Sequence, residues 1–269
     1  MNFDDFDAAM RTYEQSLDQK ILPKMYIVAR LDGRGFTKMT NEHFEKPFDE
    51  RFKNMMVEVT RELMKNSGFR VIYGYTQSDE ISLLFAPDEN SFGRKVRKIN
   101  TTLAGIASAK ASLMLGEVVS LDCRIAPLPN KKLVEDYFSW RQQDCFRNAL
   151  NGWCYWTLRK EGASRRQATS ILAGKGDDFK NELLFERGVN FNDTPAWQRR
   201  GVGLYYKEIE REGYNPKTGE TVVSKRNELF LDEDIPCRQK YRDFVTTILE
   251  TTEQDKVGSK DQPEEKEME

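Results

Sequence analysis

Asp32, Asp79 and Glu80 are the residues of this 269-residue chain best suited to chemistry. Asp32 stands in Leu31-Asp32-Gly33-Arg34-Gly35-Phe36, just beyond the apolar run Met25 to Ala29, where a strand gives way to a glycine loop. Asp79 and Glu80 stand in Gln77-Ser78-Asp79-Glu80, a turn-like stretch between the β-prone runs Arg70 to Tyr75 and Ile81 to Phe85, which puts them at the tip of a β-hairpin. Taken singly, each is commonplace: an Asp-Gly after a strand is by default a turn. Taken together they suggest more. Two carboxylates held close repel, and one takes up a proton unless a cation intervenes. Mg²⁺ suits such a pair, because it prefers oxygen ligands and completes its shell with water and substrate phosphates. Two such ions, about 3.5–4 Å apart, would clamp the attacking and leaving oxygens of a phosphoryl or nucleotidyl transfer.

The glycines beside Asp32 let backbone N–H groups approach phosphate oxygens. Neither a Gly-x-Gly-x-x-Gly nor a Walker A pattern is present, which disfavours the common dinucleotide and P-loop folds. A basic run, Arg94, Lys95, Arg97 and Lys98, opens a helical stretch. It is either a solvated helix end or, opposite the acids, a triphosphate contact.

The elements that must position these groups follow from periodicity. Residues 1–24 read as a helical lead-in, and Met25 to Leu31 as a strand. After a polar connection, residues 49–66 place Phe52, Met55, Met56, Val59 and Leu63 on one helical face. The hairpin follows, then a helix from Ser91 to Leu115 and a strand from Val118 to Ile125 ahead of Pro127. Strand, helix, strand, strand, helix, strand is the ferredoxin-like βαββαβ unit, so the expected class is α+β. Its first and third strands are central neighbours. Asp32 and Asp79, 47 positions apart, should therefore face each other.

Residues 1–130 are expected to form this catalytic core, 131–250 a helical and β-hairpin extension packed on it, and 251–269 a disordered acidic tail. Within the extension, Lys131 to Lys160 reads as a long helix broken near Asn151-Gly152, followed by helices at Ser164 to Leu172 and Asp177 to Phe185. Gly203 to Ile209 and Thr221 to Lys225 read as a hairpin around the turn Asn215 to Gly219, and Asp234 to Glu250 holds a last helix.

Composition narrows the partners. Seven acids and three bases give residues 251–269 a local charge of −4, so the net −2 leaves +2 for residues 1–250. A polyanion would have to meet local clusters, for which Arg159-Lys160, Arg165-Arg166 and Arg199-Arg200 are candidates, although surface charge is their default. The single histidine, His43, and four cysteines without Cys-x-x-Cys spacing argue against zinc sites and histidine triads. No apolar run is long enough to span a membrane, and the acidic start is unlike a targeting peptide, so a soluble, cytoplasmic protein with reduced cysteines is expected.

Three stretches, Arg30 to Phe36, Tyr75 to Glu80 and Asp136-Tyr137-Phe138-Ser139-Trp140-Arg141-Gln142-Gln143-Asp144-Cys145, occur in the order seen in the tRNA(His) guanylyltransferase family and its Thg-one-like relatives, which the chain resembles from about Asp5 to Phe230. The resemblance implies a polymerase-like palm with two Mg²⁺ ions held by Asp32, Asp79 and the carbonyl of Gly33, with Glu80 as a third catalytic acid. It implies nucleotide contacts from Asp32, Gly33, Arg34, Gly35, Phe36 and Thr37, with Ser78 and Asp79, and phosphate or RNA-end contacts from Lys46, Arg94, Lys98 and Arg124. It further implies ATP or GTP and other nucleoside triphosphates as substrates, tRNA as partner, and a homotetramer. The 5′-monophosphate of tRNA would be activated by ATP or GTP, and the 3′-hydroxyl of an incoming nucleotide would then attack it.

One stretch departs from the family pattern. Where guanosine-adding members carry His-Ile-Asn-Asn-Leu-Tyr-Asn-Thr, this chain has Phe146 to Trp153, sharing only Asn148 and Leu150. That favours template-directed repair of 5′-truncated tRNA over guanosine addition to histidine tRNA. The rival readings are a nucleotidyl cyclase, which shares a palm with metal-binding acids, and a non-enzymatic RNA-recognition module of the same strand order.

Overall fold

A computed structural model describes residues 2–214 and 221–259. After the exposed helix α1 (Phe3–Gln15), the strand β1 (Tyr26–Arg34) carries its apolar residues on both faces. Ile27, Ala29 and Leu31 enter one core and Val28 another, so β1 lies in the middle of a sandwich with helices on either side. The remaining elements of the first half are α2 (Phe36–His43), α3 (Glu50–Asn66), β2 (Val71–Gln77), β3 (Glu80–Phe85), α4 (Val96–Leu115) and β4 (Ser120–Leu128). Met55, Met56, Val59 and Leu63 of α3 and Ile99, Leu103 and Ala107 of α4 fill the core on the Ile27 side. This is the one-faced pattern that helical periodicity produces.

Five further helices and two strands complete the described chain: α5 (Lys131–Lys160), α6 (Arg165–Leu172), α7 (Asp177–Phe185), α8 (Ala196–Arg200), β5 (Val202–Tyr214), β6 (Thr221–Asp232) and α9 (Gln239–Ser259). The sheet order is β4-β1-β3-β2-β5-β6. Its first four strands are the ferredoxin-like unit with β1 and β3 central, as the element order requires. The hairpin of the second half continues the sheet, because Val202 to Tyr205 pair with Thr76 to Tyr73. Val134 and Phe138 of α5 and Tyr241, Val245 and Leu249 of α9 cover the Val28 side.

Several expectations are corrected. A helix, α2, occupies part of the stretch read as a polar connection, anchored by buried Phe36, Met39 and Thr40 at helical spacing. The helix expected from Ser91 begins at Val96, after a 3-10 turn over Ser91–Arg94. Strand β4 continues through Pro127, which an edge strand tolerates.

The long helix α5 is unbroken at Gly152 across its 30 residues. Its second half buries Leu150, Cys154 and Leu158 against α6 and α7, and that packing outweighs the roughly 1 kcal/mol a mid-helix glycine costs. Residues 251–259, expected in the disordered tail, are the last part of α9. The turn Asn215 to Gly219 and residues 260–269 lie outside the described residues.

Candidate active site

Two pairings bring Asp32 to Asp79. Asp32 is the cross-strand partner of Glu80 in the antiparallel pair β1–β3, and the Gly33 N–H donates to the Asp79 carbonyl at 3.1 Å. The hairpin tip is tight, since Gln77 already pairs with Glu80 and leaves only Ser78 and Asp79 in the loop. The Thr76 hydroxyl donates to the Glu80 carbonyl at 2.9 Å and pins the turn from inside. Ser78 takes a left-handed φ of 49°, a strained conformation for a residue with a side chain, and its hydroxyl lies 3.2 Å from an Asp79 oxygen. Burial, and then the neighbouring charge of Asp32, push Asp79 above the usual carboxylate range, while Lys46 pulls it down.

The glycine loop owes its shape to what glycine lacks. A Cβ on Gly33 would lie 2.4 Å from the Phe36 ring, and Gly35 opens α2 with φ at 74°. Phe36 is buried and meets Phe52 edge-on at 6.3 Å, so its ring anchors the loop from beneath. Lys38 N–H donates to the Gly35 carbonyl at 3.2 Å, and the two N–H groups before it, of Phe36 and Thr37, open the helix beside Asp79 where they can meet anionic oxygen. Thr37 is exposed on that turn and Arg34 is exposed at the end of β1. Lys46 lines the same cavity as Asp79, Ser78, Phe36 and Thr37, a space of about 460 Å³. Burial lowers the Lys46 ammonium, and the charges of Asp79 and Asp49 act against that.

Glu80 is placed differently from its neighbour. Its carboxylate accepts from Arg141 Nε of α5 at 2.9 Å, with Arg30 Nε at 3.9 Å, in a setting where all three side chains are largely buried. Arg141 also holds Asp144 at 2.5 Å. Glu80 thus fastens the central strand to α5.

Arg124 lies opposite Arg30 on the edge strand, exposed and paired with Asp122 at 3.3 Å. The structure does not bring Arg94 or Lys98 to Asp32. The Arg94 guanidinium is buried and donates to the Met25 carbonyl, seven residues or about 23 Å along β1 from Asp32. Lys98 is exposed on the first turn of α4, at that same far end, where Lys95 and Arg97 both pair with Asp18 and hold it down to about 2.

Two aromatic wall residues, Tyr155 and Trp156, escaped the sequence reading, whereas Arg159 and Arg165 entered it as candidate polyanion contacts. Tyr155, Trp156, Arg159 and Arg165 line the 460 Å³ cavity together with Asp79. A smaller space of about 190 Å³ adjoins it, lined by Lys46, Phe48, Ser78, Asn148, Gly152 and Trp156 among others. The i, i+4 spacing of Gly152 and Trp156, and of Tyr155 and Arg159, was a usable signal once α5 was known to be continuous. Among the described residues no three Asp, Glu, His or Cys side chains converge as a ready-made metal cluster. What converges is a pair of hard carboxylates with backbone oxygen beside it, and the upward shift of Asp79 is the conflict a divalent cation relieves.

A palm-like antiparallel sheet with paired acids at the junction of its central strands, beside a helix N-terminus and an aromatic-walled cavity, is an arrangement suited to nucleotidyl transfer. The comparisons narrow this. Residues 7–136 match the family model for tRNAHis guanylyltransferase and residues 132–267 that for the Thg1 C terminal domain. A probable tRNA(His) guanylyltransferase of Drosophila melanogaster is 35% identical over 212 residues, covering 74% of this chain and 73% of its own. The tRNA(His) guanylyltransferase of Schizosaccharomyces pombe is 32% identical, covering 81% and 86%. A solved bacterial tRNA(His) guanylyltransferase (Thg1)-like protein in complex with ATP superposes with a TM-score of 0.70 at 26% identity, covering 90% of this chain and 98% of that one, and its complex with GTP gives 0.69 at 25%, covering 91% and 99%. The chain belongs to the tRNA(His) guanylyltransferase family, nucleotidyltransferases that add nucleotides to the 5′ end of tRNA.

Proposed function

We propose that this protein extends tRNA in the 3′-to-5′ direction, repairing 5′-truncated tRNA against its template strand. The reading rests above all on one observation, the hydrogen bond from Gly33 to Asp79 that joins the glycine loop to the hairpin tip and sets Asp32 beside Asp79. Asp32, Asp79 and the Gly33 carbonyl are the residues that would hold magnesium, which when bound supplies charge neutralisation at the transferring phosphorus. Lys46 and the first turn of α2 bind and orient the triphosphate, and Trp156 and Tyr155 offer aromatic faces to a base.

The tRNA 5′-phosphate attacks the α-phosphorus of ATP or GTP and expels pyrophosphate. The 3′-hydroxyl of the next nucleotide then attacks the activated 5′ phosphorus and releases the nucleoside monophosphate. Repair in preference to guanosine addition is supported by Phe146 to Trp153, where the side chains of the guanosine-adding motif are largely replaced along α5.

Association into a tetramer is supported by α1, which buries none of its residues and exposes Phe3, Phe6, Met10 and Tyr13. All four cysteines are free and no described helix is long and apolar enough to cross a membrane, in keeping with the cytoplasmic site proposed for tRNA repair. The test supplies the protein with a 5′-truncated tRNA, magnesium and all four nucleoside triphosphates. Extension that stops at the full-length end and follows the opposing base is expected. Addition of guanosine alone, whatever the opposing base, would overturn the repair reading.

A further inference from the structure

On the side of α5 away from the acids lies an open groove of about 720 Å³, bounded by α5, α8 and the start of α9. Its charge is lopsided. Arg147, Arg199, Arg200, Arg238 and Arg242 line it against a single carboxylate, Asp177. Two of the five are neutralised locally, since Arg200 pairs with Asp234 at 2.8 Å and Arg242 pairs with Asp136. Arg199 donates its Nε to the Thr194 carbonyl at 3.1 Å. Among the described residues Arg147, Arg199 and Arg238 have no carboxylate within ion-pair distance, and Arg147 and Arg238 are exposed. Burial, and next the adjacent Arg200, hold the Arg199 guanidinium below its ordinary value, with Asp234 and Asp193 acting against them from beyond ion-pair distance.

The volume exceeds what one small anion needs and falls in the range of ligand clefts. The charge comes from three separate elements, so it is spread along the groove. That distribution suits a succession of phosphates better than one triphosphate. Residues 1–250 carry only +2 in all, so the groove is a local concentration of positive charge and not part of a generally basic surface. Position completes the argument. Arg147 is eight residues from Tyr155 on the same helix, about 12 Å of axial rise, so a strand whose end lies at Asp79 reaches the groove by passing around one helix, about 10 Å across, a span of a few nucleotides.

We infer that this groove is a second RNA contact, which binds the phosphodiester backbone of the tRNA a few nucleotides from the reacting 5′ end through Arg147, Arg199 and Arg238. It rests on the proposed tRNA substrate, and it also accounts for the departure at Phe146-Arg147, where a groove-lining arginine stands beside a half-buried aromatic ring.

The test measures binding of a 5′-truncated tRNA to the full chain by filter retention across a KCl series, for wild type, for the double variant R147Q/R238Q and for R147K/R238K. In the glutamine variant tRNA affinity should fall at least about tenfold near 0.1 M KCl, and the slope of log affinity on log salt should shrink by about 1.5, the loss of two phosphate contacts. The lysine variant should recover most of that slope, and the KM for nucleoside triphosphate should stay within about twofold in both. Unchanged tRNA affinity and slope in the glutamine variant would overturn the inference. So would a raised nucleotide KM with tRNA binding intact, which would make the groove a free-nucleotide or pyrophosphate subsite. Binding requires no turnover, so the two proposals fail separately: a wild type that binds tRNA with this salt response yet adds no nucleotide sinks the repair reading and leaves the groove standing.

Discussion

At the hairpin tip Asp79 lies within electrostatic reach of Asp32 and Lys46 and, among the described residues, has no arginine within ion-pair distance, whereas Glu80, one residue on, lies under α5 against Arg141 at 2.9 Å and Arg30 at 3.9 Å. Burial is the largest cause raising both carboxyls, and Asp32 adds to it for each; two arginines oppose the shift of Glu80, whereas Asp79 is opposed by hydrogen bonds from its own backbone and Ser78 and by Lys46. The difference comes from strand geometry. Glu80 is the first residue of β3 and shares a face with Ser82 and Leu84 toward α5, while Asp79 is still in the loop. Charge left uncompensated at the tip is available to a ligand, and charge compensated beneath it is spent on holding the tip in place.

The most severe way to break this contrast is to neutralise the tip. Asp79→Asn or Asp32→Asn should lower nucleotide incorporation by about a thousandfold or more, equivalent to roughly 4 kcal/mol at the transition state, with tRNA affinity within about twofold. Glu80→Gln keeps the shape and an acceptor for Arg141, and should retain far more activity. Single-turnover incorporation compares the three, and equal losses at positions 79 and 80 would erase the distinction.

The second break is made from the other side. Arg141→Met leaves Glu80 buried with only the distant Arg30 and deprives Asp144 of its 2.5 Å partner. Removing one member of a buried pair costs about 3 kcal/mol. Denaturant unfolding should show that loss in full, and a variant as stable as wild type would show that the ion pairs under α5 are dispensable.

How far these groups could be found without coordinates follows from the same geometry. Asp32 and Asp79 were legible, because period-two runs locate strand ends and the βαββαβ order makes β1 and β3 neighbours. Arg94 and Lys98 lie away from Asp32 for a reason the topology already contained. Strand β3 leaves the tip at Glu80 and ends at Phe85, so a helix that follows it must start at the far end of the sheet. Helix α2 was masked by the turn chemistry of Gly33 and Gly35, although Phe36, Met39 and Thr40 carry its spacing. Arg141 was quoted only as part of a motif, since its partner Glu80 is 61 residues away and an ion pair across elements leaves no local periodicity. The continuity of α5 through Gly152 depends on contacts with α6 and α7, which no local propensity encodes.

The smallest expected effect sharpens the comparison most, because it reads the charge at the tip directly. The folded protein raises Asp79 above its ordinary value of 3.8, so between that value and the raised one the folded state holds a proton that the unfolded state releases. The contribution of Asp79 therefore costs stability progressively as pH rises through this window, and the full cost is present at neutral pH when no divalent cation is bound. Asp79→Asn, in chelator at neutral pH, should raise the Tm, and the gain should vanish as pH falls through the window. Magnesium should raise the Tm of wild type and leave that of Asp79→Asn nearly unchanged, since the ion does for the wild-type carboxylates what the substitution has already done. A substitution at position 79 that lowers Tm in chelator, or magnesium stabilising both proteins equally, would mean that the tip carries no charge conflict for a cation to relieve.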